Sequence, residues 1–172
     1  MNRFDYCLAF VLRVEGRYSD RKADRGGPTN AGVTQKTYDE YRKNAGLSKR
    51  DVKSITADEV TGTYRTMYWN VAKCGHLPAP LDLYVFDGAV NHGPGRAVKL
   101  LQRALGVADD GAIGLKTIGA LQEEVAAGLL PELCRNYLAI RLEFYDQIVD
   151  NDPTQEANIN GWRNRIEHLR LA

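Results

Sequence analysis

The chain has 172 residues, and its 23 lysines and arginines nearly balance its 22 aspartates and glutamates, leaving a net charge of +1. This length suits a single core or a core with a small second lobe, and 44% hydrophobic residues are enough to build one. A nearly neutral chain with normal apolar content is typical of neither a nucleic-acid-binding protein nor a disordered one.

The first predicted helix covers residues 3–15, where apolar side chains recur at helical spacing. Turn-forming residues fill 17–30, and we predict a loop or a short β-hairpin there, closed by residues 31–34. Thr34 is placed to cap a second helix that ends near Asn44. Thr56 and Glu59 have the spacing of a capping box, which predicts the start of another helix.

The rest of the chain is predicted to be helical. An unusually apolar helix at 82–91 is expected to be central and buried. Gly93 and its neighbours mark a boundary between two lobes, 1–93 and 94–172, which we expect to pack into one globule. Apolar residues then recur at helical spacing over 96–105, 115–127, 131–149 and 162–171. The predicted fold class is α+β and mostly α, with one small β excursion after the first helix.

The last predicted helix combines an apolar stripe with basic residues. We expect the stripe of Trp162, Ile166 and Leu169 to dock on the core. The alternative is contact of a basic helix face with an anionic outer membrane. That face contains Arg163, Arg165 and Arg170.

Candidate catalytic groups follow the first helix. A carboxyl group at the end of an apolar helix, such as Glu15, is partly removed from water, which favours its protonated form. Asp24 supplies a second carboxylate, and Thr29 and Asn30 can hold a water or a sugar hydroxyl. One protonated and one ionised carboxyl group form the pair that glycoside hydrolysis uses. The alternative is that these side chains are solvated or act as caps.

Several blocks occur in a fixed order along the chain: Glu-Gly-Arg-Tyr at 15–18, then 24–34, 55–59, 64–65, 68–69 and 85–91. Together they resemble glycoside hydrolase family 108, the lysozyme-like N-acetylmuramidases of phages and prophages. Residues 97–121 are similar to the predicted peptidoglycan-binding segment that follows in this family. The resemblance implies a lysozyme-like helical fold that cleaves the β-1,4 bond between N-acetylmuramic acid and N-acetylglucosamine in bacterial peptidoglycan.

The resemblance also implies roles for individual residues. Glu15 would be the catalytic acid, with Asp24 and Thr29 as its catalytic partners. The chain departs from the family at Arg17, where glycine is usual, and at Ala31, where an aromatic residue is frequent. These departures affect the shape of the turn after Glu15 and the contacts with substrate.

Candidate residues for substrate binding are Tyr18, Asn30, Tyr68, Trp69 and Asn91. Aromatic rings suit the apolar face of a pyranose, although at helical spacing they are more often part of a core. The asparagines would hydrogen-bond sugar or, alternatively, satisfy buried backbone groups. The histidines and the three widely spaced cysteines form no metal-binding pattern, so we predict no metal or other cofactor and no disulfide framework.

Peptidoglycan is therefore the expected partner of a monomeric enzyme, and nucleic acid is not. The first apolar run, at residues 7–12, is too short for a membrane span, and with charged flanks and no small-residue cleavage site it is not typical of a signal peptide. We therefore expect the protein to stay in the host cytoplasm until a holin or lysis releases it. Two rival functions remain open. One is a lytic transglycosylase, which also uses a single glutamate but forms anhydro ends. The other is a peptidoglycan-binding protein without catalytic activity.

Overall fold

A computed structural model of the chain describes residues 2–14 and 29–171, and residues 1, 15–28 and 172 lie outside that description. The described part is mostly helical with one antiparallel hairpin, which confirms the predicted fold class. Its main elements are α1 (Arg3–Val14), β1 (Thr29–Asn30), β2 (Val33–Thr34), α2 (Gln35–Asn44), α3 (Ala57–Thr63), α4 (Leu81–His92), α5 (Pro94–Ala104), α6 (Leu115–Ala126), α7 (Leu130–Asn151) and α8 (Glu156–Arg170). A π-helical segment, Tyr64–Trp69, continues α3, and 3-10 turns occupy Val52–Ser54, Cys74–His76 and Pro153–Gln155. Among the described helices, none has the length and apolar character to cross a membrane.

The helix starts follow the predicted capping chemistry. The Thr34 side chain accepts a hydrogen bond from the backbone N–H of Thr37 at the start of α2. Thr56 and Glu59 form both hydrogen bonds of a capping box at the start of α3. The last helix begins earlier than its apolar stripe predicted, because most residues of its first turns are exposed and leave no periodic signal.

Helix α4 is the centre of the core, as its apolar sequence predicted, and its residues 81–89 are all buried. It packs against α1, α5 and α7. The Phe86 ring lies 5.9 Å from Phe4 and 5.3 Å from Trp69, centroid to centroid. Apolar side chains from both sides of Gly93 therefore share one core.

A buried ion cluster fastens α4 to the two last helices. Asp87 on α4 is fully buried and accepts hydrogen bonds from Arg141 Nη2 at 2.6 Å and from Arg165 Nε at 2.8 Å. Burial alone would raise the pKa of the Asp87 carboxyl group, but the adjacent guanidinium charges of Arg141 and Arg165 hold it below its ordinary value. Asp87 is therefore ionised, and among the described residues it pairs with the guanidinium groups of Arg141 and Arg165.

The cluster corrects the expected basic face of α8, because Arg165 points inward to Asp87 and is not part of an exposed surface. Ile166 and Leu169 are buried, which confirms that the apolar stripe docks on the core. Arg163 lies 2.9 Å from an Asp146 carboxylate oxygen, and Arg170 also pairs with an acidic neighbour. The face offers less uncompensated positive charge than the sequence suggested.

The three cysteines are free thiols buried in the core. Burial raises the pKa of Cys7 to about 12 and that of Cys134 to about 11. The pKa of Cys74 is raised as well, for the same reason. All three side chains act as small apolar groups in the packing.

Replacing Asp87 by Asn should destabilise the fold strongly, because the fully buried guanidinium group of Arg141 would lose the carboxylate with which it pairs. We expect the free energy of unfolding to fall by about 3–5 kcal/mol. Urea unfolding followed by circular dichroism measures this change. The matched control is Asp146→Asn on the exposed pair with Arg163, which should cost less than about 1 kcal/mol. Equal losses for the two variants would contradict a special role for the buried cluster.

Candidate active site

The described residues flank the predicted catalytic segment on both sides. Glu15, Tyr18 and Asp24 lie outside the described residues, so their predicted roles remain predictions. Helix α1 ends at Val14, immediately before Glu15 in the sequence, and the chain is described again from Thr29 in β1. The two flanks are therefore the end of α1 and the β1–β2 hairpin.

The hairpin has a two-residue turn in which both central residues are left-handed. Asn30 pairs with Val33, and the turn residues Ala31 and Gly32 have φ values of 49° and 74°. Such turns match the twist of a hairpin but favour asparagine or glycine, so Ala31 adopts this backbone at a cost of about 1–2 kcal/mol. The buried Tyr64 hydroxyl donates a 2.9 Å hydrogen bond to the Ala31 carbonyl oxygen, which helps to hold the turn.

The Asn30 side chain fastens the hairpin to the Val52–Ser54 turn. Its Nδ2 lies 3.3 Å from the carbonyl oxygens of both Val52 and Lys53. The amide N–H groups of Asn30 therefore donate to backbone carbonyl oxygens, so this side chain stabilises the position of the hairpin. Its predicted role in binding substrate stays a prediction. Thr29, beside it in β1, pairs with Thr34 across the hairpin.

Glu59 fixes the turn to which the hairpin is fastened. Its carboxylate is paired with Arg42 and Arg50 and accepts a 2.9 Å hydrogen bond from the Tyr38 hydroxyl. Burial would raise the pKa of Glu59, but hydrogen bonds from Thr56 and Tyr38 and the charge of Arg50 lower it. Glu59 thus remains ionised and joins α2, α3 and the segment that leads into Val52. The sequence identified Glu59 only as a capping residue.

Gln35 completes this connection. Its Oε1 accepts a 2.7 Å hydrogen bond from the Val52 N–H, and its Nε2 donates to the Arg50 carbonyl oxygen at 2.9 Å. One side chain of α2 therefore holds the backbone on both sides of Asp51. This role could not be predicted from the sequence, since a single glutamine in a polar helix can equally be solvated.

The two aromatic candidates have different surroundings. Trp69 is only 7% exposed and packs edge-on against Phe4, with ring centroids 5.4 Å apart, as expected for a core residue. Phe4 lies in the first turn of α1, whose 12 residues span about 18 Å, so Trp69 is remote from the Val14 end. Tyr68 is half-buried beside Tyr64, the residue that contacts the hairpin. Tyr68 is therefore the better placed of the two for a role near the hairpin.

Asn91 lies at the end of a hydrogen-bonded chain that begins at the buried ion cluster. Arg141 Nε donates to the Tyr145 hydroxyl at 2.8 Å, and that hydroxyl donates to Asn91 Oδ1, also at 2.8 Å. This network fixes the orientation of the amide. Among the described residues, none accepts a hydrogen bond from Asn91 Nδ2, which leaves its two N–H bonds free for a ligand.

His92 follows Asn91 at the end of α4. Its two ring nitrogens are shielded from solvent, and neither has a hydrogen-bond partner in the described part of the chain. The ring is edge-on to Phe144 and Tyr145. Burial, together with the positive charge of Arg141, lowers the pKa of His92 from 6.5 to about 3. The charged groups that act on this ring are Asp87, Arg96, Arg141 and Arg165.

Over residues 2–14 and 29–171, no group of three or more histidine, cysteine or acidic side chains is arranged to bind a metal ion. The described groups of the hairpin and its immediate contacts include hydroxyl, amide and aromatic side chains. These groups can orient a polar ligand and exclude water. They need a carboxyl group, such as that of Glu15, to transfer a proton.

Comparison with known proteins connects these observations. The model of the family described as glycosyl hydrolase 108 matches residues 8–93, and that of a predicted peptidoglycan domain matches residues 96–167. The solved structure of SagA from Brucella abortus is similar, with 35% sequence identity and a TM-score of 0.77. The similarity covers 97% of this chain and 91% of that one. No curated protein sequence matches the chain.

The buried His92 should make the fold sensitive to acid. Because its pKa is lowered in the folded state, it contributes stability above pH 6.5 that is lost as the pH falls towards 3. Between pH 6.5 and 5, we expect this residue to add a slope of about 1.4 kcal/mol per pH unit to the free energy of unfolding. Urea unfolding at several pH values should give a flatter slope for His92→Leu than for the wild type. Above pH 7.5 the two slopes should agree, and equal slopes in the acid range would contradict the assignment.

Proposed function

The chain belongs to the glycosyl hydrolase 108 family, and we propose that it is an N-acetylmuramidase. As a glycoside hydrolase with a peptidoglycan domain, it acts on the bacterial cell wall. The bond that we propose it cleaves is the β-1,4 link from N-acetylmuramic acid to N-acetylglucosamine. The observation that carries this proposal is the family match over 8–93, which includes Glu15, the residue that follows α1 in the sequence.

Glu15 is the proposed general acid. It would protonate the glycosidic oxygen as the bond breaks, while an oxocarbenium-like centre develops on the sugar. The preceding helix supports this role, since the buried Cys7 and Val11 fix α1 in the core and so fix the point from which Glu15 continues.

Asp24 is the proposed anionic partner, which would either stabilise the developing positive charge or activate a water molecule. Thr29 would position that water or a sugar hydroxyl. The fastening of the hairpin to the Val52–Ser54 turn supports the role of Thr29, because it limits the movement of β1. Tyr18, Tyr68 and Asn91 are proposed to contact the sugars, and Asn91 has two N–H bonds free among the described residues to do so.

Replacing Glu15 by Gln keeps the size of the side chain and removes the proton. We expect release of soluble fragments from purified peptidoglycan to fall by about 100-fold to 10,000-fold, the usual contribution of general acid catalysis. Reducing sugar released over time measures the rate. The control is Glu143→Gln on an exposed face of α7, which should retain wild-type activity. Wild-type activity in Glu15→Gln would refute the assignment.

The same variant separates catalysis from binding. The peptidoglycan domain over residues 96–167 favours a wall-binding protein as the second candidate function. If the protein is an enzyme that also binds the wall, Glu15→Gln should still sediment with peptidoglycan while releasing no fragments. If the wild type sediments and also releases nothing, the second candidate is the correct one.

The reaction products distinguish hydrolysis from transglycosylation. Hydrolysis adds water and leaves reducing N-acetylmuramic acid ends, whereas transglycosylation closes the sugar internally and leaves anhydro ends that are lighter by one water. We expect mass spectrometry of the released fragments to detect reducing ends. Predominantly anhydro ends would assign the protein to the lytic transglycosylases.

We further propose that the protein is a phage or prophage endolysin that acts as a monomer. In that role it would accumulate in the host cytoplasm and reach the wall once a holin or lysis opens the membrane. Cells that express it alone should remain intact and should lyse when the inner membrane is permeabilised, as turbidity would record. Lysis of intact cells on expression alone would contradict this part of the proposal.

A further inference from the structure

Two adjoining cavities form a groove at the border between the two family-matched segments. The first, of about 320 Å³, is lined by Trp69, Asn70, Lys73, Gly75 and His76. The second, of about 230 Å³, shares Lys73 and His76 and continues along Ile113, Gly114, Leu115 and Ile118. We call the combined surface the Lys73 groove. Each part is at or below the lower end of the range for pockets that bind drug-sized ligands, so each suits a small group.

The two walls of the groove are tied together. Lys73 has a left-handed backbone, with φ of 47°, and its Nζ donates a 2.8 Å hydrogen bond to the Ile113 carbonyl oxygen. A residue that is not glycine adopts this conformation only where its surroundings enforce it. The loop that carries Ile113 is therefore fixed relative to the turn after Trp69.

A buried glutamine holds that loop from the other side. Gln102 Oε1 accepts a 2.8 Å hydrogen bond from the Gly111 N–H, and its Nε2 donates to the Ala112 carbonyl oxygen at 3.1 Å. Its Nε2 also donates to Asp110 Oδ1 at 2.7 Å. The Asp-Gly turn is thus a preformed support for Ile113 and Leu115 and needs no bound cation to keep its shape.

The polar groups of the groove include several hydrogen-bond donors. Trp69 lines the first cavity and is nine-tenths buried, yet no acceptor among the described residues bonds its indole N–H. Gly75 lies beside this group, since a Cβ atom on it would be 3.4 Å from Trp69 Nε1. Asn70 and His76 are exposed beside it. No aspartate or glutamate is among the described residues that line the groove, so an acceptor-rich ligand fits it.

The second cavity adds an apolar surface and further donors. Leu115 is 93% exposed although it begins α6 on a rigid support, and Ile118 lies half-buried one turn later. Gly114 precedes the helix without a side-chain cap, so the first N–H groups of α6 are available to a ligand. An acetamido group combines an acceptor carbonyl with a methyl group and therefore matches both features.

We propose that the Lys73 groove binds an N-acetylated sugar of the glycan strand. This inference rests on the proposed function for its ligand class. Trp69 packs on Phe4 at the start of α1, whereas Glu15 follows the end of α1 in the sequence. A sugar in the groove would therefore be held in addition to the one that is cleaved. Weak binding at a second position on one polymer raises the effective affinity for the wall.

The two tryptophans of the chain make this proposal testable by NMR. Their indole N–H groups give two separate signals, of which that of Trp69 reports on the groove and that of Trp162, stacked on Tyr145, reports on a different part of the fold. Titration of the full chain with tri-N-acetylchitotriose should shift the Trp69 signal saturably, and a shift of the Trp162 signal would report separately on binding near Asn91. No saturable shift of the Trp69 signal would overturn the proposal.

A variant pair tests the assignment to this surface. Leu115→Ser combined with His76→Ala removes two exposed lining groups, and we expect about tenfold weaker binding of the trisaccharide, equivalent to 1.4 kcal/mol. The control is Leu171→Ser, because Leu171 is 87% exposed and outside the groove. An unchanged affinity in the double variant would overturn the proposal, as would an equal loss in the control.

The titration does not depend on turnover. If the trisaccharide shifts the Trp69 signal but wild-type protein releases no fragments from peptidoglycan, the groove stands and the proposed activity fails. If fragments are released and the Trp69 signal does not move, the activity stands and the groove proposal fails. A shift of the Trp69 signal by inorganic phosphate at the same concentration would also count against a sugar site.

Discussion

The ionised Asp87 in the centre of the core is the constraint on which the rest of the structure depends. An isolated buried carboxylate is strongly unfavourable, so the core holds this charge at an acceptable cost because two arginines compensate it. Those partners come from α7 and α8, while Asp87 belongs to α4. Among the described residues, a charge in the segment matched by the glycosyl hydrolase model is therefore neutralised by the following segment, which couples the two segments energetically.

The same cluster extends to the surface through Tyr145 and Asn91. Each hydrogen bond in this chain orients the next group, so the half-buried amide of Asn91 is oriented through a buried charge. The hairpin is held in a comparable way, since Glu59 and Gln35 fix the turn to which Asn30 is fastened. In both places, ionised or amide groups inside the fold determine the orientation of side chains nearer the surface. Pre-organisation of this kind is what a glycosidase requires of its substrate contacts.

The sequence was sufficient for the features that depend on local chemistry. The capping box at Thr56 and the apolar helix α4 follow from residue type and spacing, and the structure has both. The family resemblance also came from ordered sequence blocks and agrees with the matches to known proteins. The inward orientation of Arg165 could not be predicted, because its partner is distant in the sequence and an arginine in an amphipathic helix is usually exposed.

The candidate site was less accessible to such reasoning. Tyr64 and Gln35 support the hairpin through hydrogen bonds to backbone atoms, which leave no pattern in the order of residues. The left-handed backbone of Lys73 could not be predicted either, since no neighbouring residue in the sequence requires that conformation.

The buried thiols have a consequence for the conditions under which the protein keeps its structure. Thiolates are the species that react with oxidants, and raised pKa values leave Cys7 and Cys134 almost entirely protonated near neutrality. With each sulfur enclosed in the core and none joined to another, the fold neither gains nor loses a covalent bond when the surrounding redox potential changes. The same folded chain would thus tolerate both a reducing interior and an oxidising exterior, the two environments on either side of a bacterial membrane.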